Sequence, residues 1–84
     1  MATPNIILER GYILLHQSDG GKIGITMTNN NFLFADAVSV NDLSDKYVLG
    51  DSVLFNPLGA TLIVYDNTTY FLTTEDKIIF KEVI

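Results

Sequence analysis

Residues 50–73 read GDSVLFNPLGATLIVYDNTTYFLT. Three short runs rich in Val, Ile, Leu, Phe, Tyr and Thr, from Ser52 to Asn56, Thr61 to Tyr65 and Thr69 to Thr73, are separated by turn residues, a strand-and-hairpin pattern. Asn56-Pro57-Leu58-Gly59 is a turn, because Pro presets φ and Gly accepts a positive φ. Asp66-Asn67 falls between two strands, and both residue types tolerate the left-handed conformation that tight hairpins need. Leu49-Gly50-Asp51 turns the chain into the first of these strands.

The same reading extends outward. Strands are predicted near Ile6 to Leu8, Gly11 to His16, Phe34 to Val40 and Ile78 to Val83, and no stretch has a long helical period. Thr73-Thr74-Glu75-Asp76 interrupts the pattern as a single helical turn with a Thr cap. The fold class is all-β, a small sandwich or barrel, in one domain over residues 1–84. A domain this short has a marginal core and is often reinforced by a disulfide, a metal or an oligomer interface. The chain has no cysteine and one histidine, His16, so oligomerisation is the reinforcement left open.

Ten acids against five bases give a net charge of -5. The bases, Arg10, Lys22, Lys46, Lys77 and Lys81, form no cluster, which argues against nucleic acid as a partner. Tyr12, Tyr47, Tyr65 and Tyr70 could stack bases in an oligonucleotide-binding barrel, but no basic track accompanies them. Apolar runs such as Tyr12 to Leu15 and Leu62 to Tyr65 are too short to span a bilayer. No signal-type segment opens the chain, so a soluble cytoplasmic protein is expected. His16, Asp36, Asp42, Asp45, Asp51, Asp66, Glu75 and Asp76 are the groups that could serve an enzyme, yet they form no catalytic or metal-binding motif. Gly20-Gly21-Lys22 lacks the glycine spacing and the Ser or Thr of a phosphate-binding loop. No catalytic residue, metal site or cofactor is expected.

One segment stands apart, Gln17 to Asn31, QSDGGKIGITMTNNN, with three of the six glycines and three consecutive asparagines. Inside it Ile23, Ile25 and Met27 alternate. A polar, glycine-rich loop with an apolar stripe fits a segment that orders on a partner. The same residues also fit a plain hairpin turning at Asp19-Gly20, with the stripe facing the core.

Taken in order, these motifs resemble the chaperonin-10 (GroES) family of co-chaperonins. Gly50-Asp51-Ser52-Val53-Leu54-Phe55 is similar to the family's Gly-Asp-x-Val-x-Phe. Tyr70-Phe71-Leu72 stands where the family has three apolar residues. Glu75-Asp76-Lys77-Ile78-Ile79-Phe80 lies on Glu-x-Asp-Ile-Leu-Ala, with Lys77 and Phe80 departing from it. Leu8 to Leu15 lies over the opening Pro-Leu-x-Asp-Arg-Val-x-Val, keeping Leu8 and the apolar alternation. Gly24-Ile25-Thr26-Met27-Thr28 resembles the mobile-loop Gly-Ile-Val-Leu-Thr, and Ala35 to Asn41 the family's Gly-x-Val-x-Ala-Val-Gly. The resemblance covers nearly the whole chain at low identity.

It implies a small irregular β-barrel with a long mobile loop (about residues 17–31). Only Asn41 to Leu49 stands where the family has its roof hairpin, so that hairpin is reduced or absent. It implies a homoheptamer that lids a GroEL-type chaperonin and encloses unfolded client protein. Ile23, Gly24, Ile25, Thr26 and Met27 would bind the chaperonin apical domains in an ATP-dependent complex. Ile6, Ile7 and Leu8 would meet Phe80, Glu82 and Val83 of a neighbouring subunit; the alternative is that these terminal strands pair within one chain and close a monomeric barrel. Bacteriophages carry trimmed versions of this kind, which would act in the host cytoplasm. The competing function is a small phage structural or adaptor β-barrel without chaperonin binding.

Overall fold

The computed structural model describes residues 6–18 and 32–83. Among them lie six strands: β1 (Tyr12–Gln17), β2 (Leu33–Val40), β3 (Ser52–Phe55), β4 (Thr61–Tyr65), β5 (Thr68–Thr74) and β6 (Ile78–Lys81). A 3-10 turn, Glu75–Lys77, joins β5 to β6, and no α-helix occurs among the described residues. The strands form one antiparallel sheet in the order β4-β5-β1-β2-β3-β6.

Local chemistry sets the turns as expected. Asp66 and Asn67 both have positive φ, 52° and 62°, so the β4–β5 hairpin closes in the two-residue form that matches strand twist. Asn56 Oδ1 accepts from Leu58 N at 3.0 Å, and Pro57 O accepts from Ala60 N at 3.0 Å. The helical turn follows Thr74, but the Thr74 hydroxyl donates to the Asp76 carboxylate rather than capping the backbone.

The sheet curls. β5 and β6 stand second and sixth in the order, four strand spacings apart, or about 19 Å if the sheet were flat. Yet Thr74 ends β5 and Ile78 starts β6, and four residues reach at most about 14 Å. The rings of Phe55 on β3 and Phe71 on β5 meet edge-on with centroids 5.3 Å apart, although three spacings would separate them by about 14 Å in a flat sheet. Irregular register between Leu14 and Leu15 against β2, and between Leu54 and Phe55 against β6, supplies local bends.

Curling gives the concave face a core of its own. Ile13, Leu15, Ala35, Ala37, Val53 and Phe55 are buried there, with Phe71, Ile78 and Tyr47 packed against them. The opposite face of β1 turns Leu14 into a second cluster with Leu8 and Tyr70. β1 is therefore covered on both faces, and each large aliphatic side chain buried there contributes roughly 1.5–3 kcal/mol.

Three expectations are corrected. Among the described residues the hydrogen-bonded ladder is not closed into a barrel: β4 and β6 are its edges, so the architecture is a strongly curled open sheet. Residues 6–8 form no strand. Gly11, at φ 90°, and the Tyr12 N to Glu9 O bond of 3.1 Å turn the chain before β1, and Leu8 is drawn into the second cluster instead of a ladder. The last strand also ends at Lys81 rather than Val83.

Candidate interaction surface

The residues expected to bind a chaperonin, Ile23, Gly24, Ile25, Thr26 and Met27, lie outside the described residues. Those expected at a subunit interface can be placed. Leu8 is buried in the chain's own second cluster, while Ile6 and Ile7 beside it are exposed. Phe80 stacks edge-on with Phe34, ring centroids 6.5 Å apart. Glu82 N donates to Ser52 O at 2.8 Å, which fixes the point from which Val83 projects, 82% exposed. β6 pairs with β3 on one side and forms the sheet edge on the other.

Between Val40 and Ser52 the chain makes a loop of turns that binds both terminal segments. Asn41 Nδ2 donates to Leu8 O, and Lys81 Nζ donates to Lys46 O. Lys81 Nζ also lies 3.6 Å from Asp51 Oδ2 and 5.7 Å from the centre of the Tyr47 ring. Ser44 Oγ donates to Glu75 Oε2 at 2.7 Å. At the loop's end Gly50, at φ 91°, donates from its N–H to Ala37 O at 2.8 Å, and Asp51 Oδ2 accepts from Val48 N at 2.9 Å. Tyr47 is held above the ordinary tyrosine range, first because burial disfavours the phenolate and then because Glu75 and Asp51 repel it.

A groove of about 460 Å³ runs between this loop and the start of the described chain. Its walls include Ile6, Val40, Tyr47, Val48 and Leu49, and Asp42 adds a carboxylate to its lining. A smaller hollow of about 110 Å³ continues it along Ile7 and Leu8. Sequence reasoning treated Asn41 to Leu49 only as a shortened remnant. The signal available was Asn41-Asp42-Leu43-Ser44, in which Asn41 Oδ1 accepts from Leu43 N at 2.8 Å as a side-chain-built turn.

The ladder aligns His16 with Asp36 and Asp36 with Ser52. That places the acid between the other two, whereas nucleophilic catalysis needs the imidazole between acid and hydroxyl. The His16 ring packs against Tyr70, centroids 5.7 Å apart. Among the described residues no group of three or more His, Cys, Asp or Glu side chains could hold a metal ion, and no helix is long and apolar enough to cross a membrane. The chain matches no protein-family model and no curated protein.

Proposed function

We propose that this chain is a co-chaperonin subunit of the chaperonin-10 type, working as a homoheptameric ring. One observation carries the reading: among the described residues the curled antiparallel sheet ends at β6, with no strand on its outer side, and Ile6, Ile7 and Val83 are exposed. An unpaired apolar edge invites pairing with another chain, and ring closure removes it. The ordered motifs of the sequence add to this.

The ring lids a chaperonin. In each subunit Ile25 and Met27, with Ile23, dock in an apolar groove of an apical domain. Burying each contributes roughly 1.5–3 kcal/mol, while ordering the loop costs roughly 1–2 kcal/mol per residue, so one loop binds weakly. Seven loops on one ring bind together, because each later contact is effectively intramolecular. Weak single contacts keep the lid releasable when nucleotide changes the chaperonin's state.

Native mass in solution tests the reading. Seven copies of 9.3 kDa give a species of about 65 kDa. A stable 9.3 kDa monomer would favour the phage adaptor module instead. With the ring in hand, Ile25→Asp is expected to abolish ATP-dependent chaperonin binding and leave the ring intact; unchanged affinity removes this loop from the mechanism.

A further inference from the structure

The last residue of β6 reaches across to the loop between β2 and β3. Lys81 pairs with Val53 in the ladder, and the neighbouring Glu82 N–H donates to Ser52 O at 2.8 Å, so the sheet holds the backbone at this point. The Lys81 ammonium then meets three groups of the loop: it donates to Lys46 O, lies 3.6 Å from Asp51 Oδ2 and sits 5.7 Å from the centre of the Tyr47 ring. A carbonyl, a carboxylate and a ring face all attract a cation.

Other bonds tie the two ends of the loop. Near its start Asn41 Nδ2 donates to Leu8 O and Ser44 Oγ to Glu75 Oε2. Near its end Gly50 N donates to Ala37 O, and Asp51 O accepts from Ala37 N. Lys81 meets the loop between these anchors, at Lys46 and Tyr47. Asp51 extends its reach, because the Oδ2 that faces Lys81 also accepts from Val48 N at 2.9 Å. Loss of the ammonium therefore removes an attraction from Lys46, Tyr47 and Asp51 together, and loosens Val48 through Asp51. Tyr47, Val48 and Leu49 are also a wall of the groove that Ile6 lines. The clasp is weak enough to open: the Lys81 side chain is 37% exposed, and salt screens ion pairs at such a surface. The packing of Tyr47 against the concave core gives the segment a seat to return to.

We propose that Lys81 is a charge-operated strap on this groove wall: it holds residues 46–49 to the end of β6, and salt or loss of its charge frees that segment while the sheet stays folded. Local opening of this kind needs a segment with few buried contacts on a stable frame. Val48 and Leu49, both exposed, meet the first condition, and the buried side chains of β1 and β2 supply the second. The strap lies within one chain, so it goes beyond the ring reading and does not depend on it.

Amide hydrogen exchange of the full chain tests the strap, read at Val48 and Asp51, whose N–H groups bond within the loop, and along β1. Lys81→Met keeps the apolar stem and removes the charge. It is expected to speed exchange at Val48 and Asp51 by about two- to fivefold and to leave β1 as in wild type. Lys81→Arg, which keeps the charge, should exchange like wild type. Raising sodium chloride from about 0.05 M to about 0.5 M should speed the same two amides in wild type and have no such effect in Lys81→Met. Rates at Val48 and Asp51 that neither the substitution nor salt changes overturn the strap. An equal rise along β1 overturns it too, because the loosening would then be global.

Discussion

β1 and β4 are built from similar residues and have opposite fates. β1 reads YILLHQ and buries Ile13, Leu14 and Leu15 completely. β4 reads TLIVY and leaves Leu62 and Val64 60% and 70% exposed. Apolarity alone does not separate them; position in the sheet does. β1 sits between β5 and β2 within the curl, so its two faces meet the two hydrophobic clusters. β4 has one neighbour, β5, and only Ile63 reaches the second cluster. The difference teaches that burial here follows from curvature, which brings Phe55 and Phe71 together over β1 and leaves the β4 margin uncovered.

The largest effect should come from cutting into the covered strand. Ile13→Ala removes a fully buried side chain from the concave cluster and is expected to cost about 2–5 kcal/mol. Urea denaturation at fixed protomer concentration measures it; a loss under about 1 kcal/mol would mean that the concave face is not the main core.

Gly50→Ala probes the loop that flanks the core. Gly50 has φ 91°, and a Cβ there would meet nothing within 4 Å, so the cost is backbone strain alone, about 1–2 kcal/mol. The Gly50 N–H to Ala37 O bond ties this turn to β2, the neighbour of β1, so the change should reach the covered region. Equal midpoints in urea for wild type and variant would sever that link.

A pH series tests the covering role of Tyr47. Its phenol pKa is raised above the usual 10.0 in the folded chain, by burial first and then by Glu75 and Asp51. The folded state therefore holds this proton more tightly than the unfolded one. The resulting stability is fully present below pH 10.0 and is lost as pH rises through the folded value. The urea midpoint of wild type should fall between about pH 9 and 11, and that of Tyr47→Phe should fall less. Parallel curves would place the phenol in water.

The smallest effect belongs to β4. Val64→Ala, at an exposed edge position, is expected to change stability by no more than about 0.5 kcal/mol. A loss comparable to that of Ile13→Ala would show that the β4 margin is covered in solution, and the contrast between the strands would fail.

Much of this was legible in the residues, for reasons that stay local. Asp66-Asn67 and Asn56-Pro57-Leu58-Gly59 announce turns because their φ preferences are properties of single residues. Thr61 to Tyr65 was bounded as a strand by those turns and holds the same limits in the structure. Ile6 to Leu8 was misread as a strand because its apolar pattern serves packing equally well, and Leu8 spends its side chain on Leu14 and Tyr70. The candidate surface was half legible. Ile6 and Val83 stood out as apolar ends, whereas Val48 and Leu49 line a groove with Ile6 in a fold tied by hydrogen bonds between residues more than thirty positions apart, such as Asn41 to Leu8.

By itself, then, the sequence determined the strand count in its central and C-terminal parts, the hairpin turns and the acidic, cysteine-free character of the chain. These depend on backbone preference and composition. Tertiary structure alone decided that six strands curl without closing their ladder, which faces of β1 and β4 meet a core, and that Ile6 shares a groove with Val48 and Leu49. Those outcomes depend on the three-residue link from β5 to β6, which is too short to cross a flat sheet and so bends it.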